Sequence, residues 1–508
     1  MNTDVLIVGA GPTGLALACQ LIRYGVDFVI IDKKETTTPY SKAIGVQART
    51  LELYEQIGLA DKLIGLGAKA ENAQIFAGGK VRGQMEFRDL GRGMSPYPFV
   101  LIVEQGKHET LLYDFIRSHG KDVRWQMELE SFSQDPEGVT ATVKNSTGES
   151  ETIDAKYLIG CDGAKSLVRH TLGLTFEGST FERLFYVADV QIDWAFGQGG
   201  LHAFLMKNEL LAVFTMDGKN QYRIVGTFPK EFEKDEGEVL YEEIEQQMRR
   251  DAEIDFDITK VNWFSTYKVH TRHVNKFSEG RCFLAGDSAH IHTPAGAQGM
   301  NTGIQDGYNL AWKMALVLRG IADEKLLDSY NGERLPNAHA LMQTTDRFFN
   351  LVASPSPFLV FFRLYIFPYI ANIAFSLNVV KRFVFPRISQ IAINYRNSSL
   401  SKNDGSFKVK AGDRMPYFQV YNQSVYDRMQ EPKFHLLAFG GDGFAKVSED
   451  LEDLLDIRNL ALTTEVEDIF GCDKPFILVV RPDNYIGLIS QDVSLDAVRK
   501  YLFEIRGK

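Results

Sequence analysis

Residues 4–32, DVLIVGAGPTGLALACQLIRYGVDFVIID, decide the fold. They read as strand, tight turn, helix and strand. VLIV at 5–8 is an unbroken apolar run, the pattern of a parallel strand buried on both faces. Gly9, Gly11 and Gly14 then form G-x-G-x-x-G. The first glycine permits the turn, the second lets a pyrophosphate approach the backbone, and the third lets helix and strand pack closely. Pro12 suits the first helical turn, where its missing N–H costs nothing, and Thr13 follows it. Leu15, Cys19 and Ile22 recur at helical spacing, and the next strand ends in Asp32, whose carboxylate can accept hydrogen bonds from a ribose. The helix N-terminus adds free N–H groups and partial positive charge. Together these features predict a dinucleotide site; the turn alone does not say which dinucleotide.

The 508 residues give room for two or three domains, and 44% hydrophobic with 24% charged residues is ordinary for a globular chain. A net charge of −10 gives no support to a nucleic-acid partner. Cys19, Cys161, Cys282 and Cys472 fall in no C-x-x-C or metal spacing, so buried reduced thiols, no metal and a cytoplasmic location are expected. The first residues lead straight into an apolar strand, with no basic segment or cleavage site of a signal peptide.

Beyond Asp32, Lys33 is placed either near an adenosine or on a solvated surface, and Lys42 lies in a loop before a helix beginning near Gln47. Arg49 is read as a phosphate contact or a helix-face charge, and Gln105 opens a helix where it can bond a polyol chain. Residues 123–159 alternate as a strand meander. In YLIGCDGAKSLVRHTLG, 157–173, a strand delivers Asp162-Gly163; Ser166 and Arg169 then share one helix face, either bracing the turn or touching a pyrophosphate. Residues 175–275 are short segments rich in β-branched and aromatic side chains, an antiparallel sheet read as a pocket floor. Phe204, Phe214 and His202 are read there as core packing, with pocket lining the alternative.

Residues 281–316, RCFLAGDSAHIHTPAGAQGMNTGIQDGYNLAWKMAL, run from a buried strand to Gly286-Asp287, a loop containing Pro294, and a helix. Asp287 can bind sugar hydroxyls. The free N–H groups of Gly299, Met300 and Asn301 would suit the O2/N1 edge of an isoalloxazine, an interaction of ~0.3–2 kcal/mol.

Three motifs now stand in order: GAGPTG at 9–14, CDGAKSLVR at 161–169 and GDSAHIHTPAGAQGMN at 286–301. This set resembles the class A FAD-dependent aromatic hydroxylases, the group of para-hydroxybenzoate hydroxylase, phenol hydroxylase, rifampicin monooxygenase and the polyketide hydroxylases. The similarity continues through NLAWK (309–313), INYRNSSLS (393–401) and VVRPDNYIGL (479–488). It implies a Rossmann-like α/β FAD-binding domain over 1–175 and 276–400, with a helical region at 320–400. An antiparallel-sheet substrate domain at 176–275, joined by 75–100, and a thioredoxin-like α/β domain at 405–508 complete the expectation.

The resemblance also implies residue roles. Gly9, Gly11, Pro12, Thr13, Gly14, Asp32 and Lys33 would hold the adenosine and pyrophosphate half of FAD. Lys42 stands where relatives carry an arginine; Gln105 would contact the ribityl chain and Leu129 lie over the adenine. Asp162 and Arg169 belong to a motif serving FAD and NAD(P)H. Asp287 would bind the ribityl chain and its pyrophosphate neighbours, and Met300 and Asn301 the flavin edge. Pro294 and Gly299 would sit nearest the reacting flavin; no side-chain base is assigned, His202, His290 and His292 being candidates by type. NADPH or NADH would reduce FAD, and a C4a-hydroperoxide formed with O2 would transfer oxygen to an electron-rich aromatic substrate.

Residues 345–396 are apolar and aromatic, yet Pro355, Pro357, Pro368 and Arg363 count against a membrane span. A buried helical cover or homodimer contact is expected, with membrane-surface contact second. The C-terminal domain lacks C-x-x-C, so thiol redox chemistry is not expected. Two alternatives remain: a halogenase or reductase on this scaffold, and a non-catalytic binding protein. Halogenases carry W-x-W, whereas Trp125, Trp194, Trp263 and Trp312 are far apart; the intact flavin-edge loop argues against a binding protein.

Overall fold

The computed structural model describes residues 1–39, 43–87, 90–196, 199–206, 209–228, 239–293, 295–353, 356–440 and 451–507. Lys42 and Pro294 lie outside the described residues. Strand Asn2–Val8 pairs in parallel with Phe28–Asp32 on one side and Ser150–Gly160 on the other. Parallel pairing continues to Val123–Trp125 and Cys282–Leu284. Val5, Leu6 and Ile7 are fully buried because this central strand is covered on both faces. Helix Pro12–Arg23 packs against helix Gly299–Leu318 through small residues: a Cβ on Gly303 would stand 2.4 Å from Thr13 Oγ1. Met127–Gln134, Val139–Asn145 and Ser150–Gly160 form the expected meander.

A second sheet of eight strands runs, edge to edge, through His290–Ile291, Asp257–Val274, Phe176–Asp193, Gln221–Thr227, Leu210–Thr215, Gly200–Leu205, Asn72–Ala77 and Lys80–Glu86. Its pairing is antiparallel except between Gly200–Leu205 and Asn72–Ala77. Side chains alternate between its faces. Phe204, Leu211, Tyr186 and Ile224 point to the back, where helix Tyr241–Asp251 supplies Ile244 and Met248 to their cluster. Leu201 and Phe214, opposite one another in register, point to the front and pack against the core of the first sheet.

The apolar stretch after helix Asp328–Ala353 folds into short helices: Pro357–Phe361, a π turn at Phe362–Ile366, Phe367–Ser376 and Asn378–Ile388. Among the described residues no helix is long and apolar enough to cross a membrane. One side of this unit covers protein. Arg363 donates to Met206 O (3.0 Å), and the Phe385 ring fills the space that a side chain on Gly91 would need. The other side is open, with Phe358, Tyr365 and Ile373 exposed. The expected buried cover is therefore met on the inner side only.

The C-terminal sheet has the order Lys402–Asp404, Ile486–Ser490, Phe476–Val480, Phe434–Phe439, Leu455–Leu460. Its core gathers Phe418, Phe439, Phe470 and Phe476. A buried ionic knot ties it to the first sheet's helices. Arg481 donates to both oxygens of Glu333 (2.6 and 2.9 Å) and to both of Asp483 (3.0 and 2.6 Å). Lys313 Nζ and Asn309 Nδ2 also donate to Glu333 (2.9 and 2.7 Å), and Trp312 Nε1 to Asp483 (3.1 Å). Arg49 joins this knot through Asp483 O (2.6 Å) and Glu52 (3.1 Å). It is neither a phosphate contact nor a solvated helix-face charge: both readings give way to a fully buried role.

Candidate functional site

The three glycine-bearing loops meet at the carboxyl ends of the parallel strands. Cys161 N–H donates to Val8 O (2.7 Å) and Ala285 N–H to Gly160 O (3.0 Å), which aligns the strand ends. Gly9 has φ +106°, and a Cβ there would strike Cys161 O at 2.3 Å; one on Gly14 would strike Gly9 O at 2.0 Å. A Cβ on Gly11 or Gly299 would meet nothing within 4 Å. The fold itself therefore requires glycine at 9 and 14, whereas positions 11 and 299 border open space, as a cradle for a pyrophosphate and a flavin edge needs. These residues fit the FAD that the motifs imply.

Asp32 accepts from Ala10 N–H (2.7 Å) and Lys34 N–H (2.9 Å), so it braces the glycine loop at the ribose end. Thr13 is packed between Gly286 and Gly303. Lys33 is 73% exposed and pairs with exposed Glu128, the solvated alternative. Gln105 sits at the start of helix Gln105–Ser118, accepting from Ala43 N–H (3.2 Å) and donating to Glu109 (2.8 Å). Leu129 is buried in the first sheet's core. Asp287 is exposed at the end of the strand Cys282–Leu284 loop.

Ser166 and Arg169 brace. Ser166 Oγ accepts from Arg169 N–H (3.0 Å), capping the helix. The Arg169 guanidinium is buried over the Phe176 ring (3.9 Å) and donates to Ser288 O (2.9 Å) and Ala164 O (2.8 Å). It locks the second loop to the third. Asp162 accepts from Val168 N–H (3.2 Å) through one oxygen, while its other oxygen is buried without a partner, and burial raises its carboxyl pKa.

Asn301 is saturated. It accepts from Gln47 N–H (2.9 Å) and Thr50 Oγ1 (2.7 Å) and donates to Gly45 O and Ala297 O (both 2.8 Å). Its side chain ties the loop to residues 45–50, and the first-turn N–H groups of helix Gly299–Leu318 have no acceptor within the helix. Met300, half-buried beside it, packs on the core.

A histidine chain runs under the same loop. Asp306 accepts from Arg334 Nε (2.6 Å) and Gly286 N–H (2.9 Å); despite burial, Arg334 and His290 hold its carboxyl down to about 2. It is therefore ionised and can only accept, so His290 Nε2, at 2.7 Å, carries a hydrogen. His290 Nδ1 lies 2.8 Å from His292 Nε2, a hydrogen bond whose direction depends on the protonation of the two rings. Among the described residues His292 Nδ1 is buried without a hydrogen-bond partner, and so is Thr293 Oγ1 beside it. Burial and the neighbouring His290 hold His292 well below the usual imidazole range, so it stays neutral. The sequence offered His290 and His292 by type only; Asp306, which fixes the hydrogen on His290 Nε2, and its partner Arg334 lie one and two helices away and gave no local signal.

The front face of the second sheet carries a further group missed in the sequence. Arg223 makes two 2.6 Å bonds to Asp189, beside Trp263 and Tyr267. Phe214 shares this face and lines a small hollow of about 20 Å³ with Leu201, Ile102 and Lys69. Phe204 and His202 do not. They point to the back, where His202 lies against Trp194 (4.8 Å), bonds Gln74 (3.1 Å) and is held near pKa 4 by burial. His202 and Phe204 are therefore core residues, the core-packing reading of the two, and the lining alternative falls for them. A separate cleft of about 650 Å³ lies between Pro386, Arg414, Tyr417 and Asp468.

Comparison with known proteins agrees with this geometry. The profile of the FAD binding domain family matches residues 2–345. A flavin-dependent monooxygenase of Mycobacteroides abscessus is 30% identical over 503 residues, covering 96% of this chain and 97% of that one. Pentachlorophenol 4-monooxygenase of Sphingobium chlorophenolicum is 32% identical over 544 aligned positions, covering 98% and 96%. The solved structure of OxyS anhydrotetracycline hydroxylase from Streptomyces rimosus superposes with a TM-score of 0.79 over the full length of both chains at 26% identity. The chain belongs to the FAD binding domain family, and it is an FAD-dependent monooxygenase.

Proposed function

We propose that this enzyme hydroxylates a phenolic or polycyclic aromatic ring, using O2 and NADPH or NADH. The observation that carries the reading is the meeting of three loops around an open-bordered glycine cradle, one of them leading directly to an orphaned, neutral imidazole beneath the flavin-edge helix. Bound FAD supplies hydride acceptance and dioxygen activation, the chemistry side chains lack. The protein's own contribution is placement and charge. Gly11 and the helix N-terminus take the pyrophosphate, Asp32 and Asp287 the hydroxyls, and the first N–H groups of helix Gly299–Leu318 stabilise negative charge on the ring edge.

A phenol attacks more readily as phenolate, and its free pKa is ~10 by analogy with tyrosine. We assign His292 Nδ1 as the proton acceptor, its Nε2 positioned by His290 and, behind it, Asp306. The front-face pair Arg223–Asp189, with Trp263 and Tyr267, would set the polar and aromatic floor beneath the substrate. The halogenase and binding-protein alternatives gain nothing from the geometry.

The test is a panel of phenols and polycyclic aromatics assayed for NADPH consumption, peroxide release and a mass gain of one oxygen. Product carrying one added oxygen is expected. Protein that stays colourless after FAD addition would instead favour a binding module. For the base, His292→Gln should lower kcat on the order of a hundredfold, flatten the acid limb of its pH profile and leave the flavin spectrum unchanged. An unaltered acid limb would remove His292 from the mechanism.

A further inference from the structure

The outer side of the helices between Pro357 and Ile388 has no role in the chemistry above. Along it Phe358, Phe361, Tyr365, Tyr369, Ile373 and Leu377 recur every three or four residues, and each has more than half of its surface exposed. That spacing keeps them on one face, and the π turn Phe362–Ile366 takes up part of the drift that four-residue steps accumulate. A contiguous apolar stripe of this length is uncommon on a surface that faces only water.

Charge identifies what covers it. From residue 347 to 403 the sequence has seven Lys and Arg and no Asp or Glu, within a chain of net charge −10. Arg382 and Arg387 are exposed beside the stripe and Lys381 is half-exposed. Arg387 stacks over exposed Phe383 (3.5 Å), and none of these three cations is in an ion pair among the described residues. A second copy seated on this face through a two-fold axis would set the basic cluster against itself. An anionic bilayer offers the opposite: an apolar interior for the stripe, an interfacial layer suited to Tyr365 and Tyr369, and negative headgroups for the cations. The remaining acidic surface would be repelled, which orients the molecule with these helices down.

We propose that this face docks onto the surface of an anionic phospholipid bilayer without crossing it. The inner side of the same helices touches the second sheet, Pro368 O against Gly83 on strand Lys80–Glu86 and Arg363 on Met206 O. Docking thus brings the sheet that we read as the substrate floor beside a phase in which apolar polycyclic molecules concentrate. The docking itself does not depend on that reading of the substrate.

The test is co-sedimentation of the full-length FAD-loaded protein with vesicles of phosphatidylcholine and phosphatidylserine, against phosphatidylcholine alone. Binding to the anionic vesicles, weakened by added salt, is expected. Lys381→Gln with Arg382→Gln should weaken it roughly twentyfold, on the order of fivefold per charge. Phe361→Ser with Tyr365→Ser and Tyr369→Ser should abolish it; flavin absorbance confirms that each variant is folded. Failure to bind anionic vesicles would overturn the proposal. So would a solution dimer that the triple variant dissociates, because a second copy would then cover the face.

Discussion

Two regions of this protein bury polar groups, and they treat them in opposite ways. Around Glu333 and Arg481 the charges saturate one another: carboxylate, guanidinium, ammonium and indole N–H each find partners within 3.1 Å. Around the three loops, Asp162 Oδ1, His292 Nδ1 and Thr293 Oγ1 are buried with none. A buried polar atom without a partner costs about 1–3 kcal/mol; Arg49 Nε at the edge of the knot and His202 Nε2 in the second sheet are others, and those at the three loops are the ones carried by the dinucleotide motifs.

The largest effect expected from breaking this contrast is on the knot. Arg481→Met strands Glu333 and Asp483 in the interior and should cost about 3–5 kcal/mol of stability, read as a lower denaturant midpoint. If the midpoint is unchanged, the knot does not hold the C-terminal domain. Next comes a pair of glycine variants. Gly14→Ala should disrupt the loop itself and lose both stability and flavin, because its Cβ meets Gly9 O at 2.0 Å. Gly11→Ala meets no protein atom, so it should keep the melting temperature of the flavin-free protein while weakening FAD on the order of a hundredfold. Equal damage from both would mean that Gly11 is structural.

Acid should act through Asp306. Its folded pKa, about 2, lies below the ordinary carboxyl value of 3.8, so the stabilisation is fully present above pH 4 and is lost as pH falls towards 2. Protonation there should remove on the order of 2 kcal/mol, and Asp306→Asn should flatten that part of the stability–pH curve. His292 acts in the same direction in milder acid. It is held neutral when folded but protonates near the ordinary imidazole value when unfolded, so stability falls as pH drops below 6.5. Asp287→Ala should weaken FAD about tenfold, measured by flavin fluorescence recovery, with no change in denaturant midpoint. The smallest effect is at Lys33, where an exposed pair contributes within ~0.5 kcal/mol. Lys33→Ala should leave FAD affinity unaltered, and a marked loss would restore the adenosine role.

The two regions also differ in how they were encoded. The glycine turn, the strand ends at Asp32 and Asp287 and the flavin-edge loop are short continuous motifs, because phosphate and sugar recognition uses backbone geometry within a few residues. The knot draws on NLAWK, INYRNSSLS and VVRPDNYIGL, whose likeness to relatives was visible but whose purpose was not. Arg49 was misread for the same reason: beside its neighbour Glu52, its other partner, Asp483 O, is more than four hundred residues away.

By itself, the sequence determined the dinucleotide-binding core, its strand–turn–helix order, the antiparallel second sheet and the family, since periodicity and local turn chemistry act over neighbouring residues. Only the tertiary structure decided which side of that second sheet each residue faces, which sent His202 and Phe204 to the back and Phe214 to the front. It alone placed a hydrogen on His290 Nε2 through Asp306, and left one side of the apolar helices uncovered. The physical reason is range. Burial, proton placement and exposure depend on what packs from elsewhere in the chain, and no window of neighbouring residues carries that.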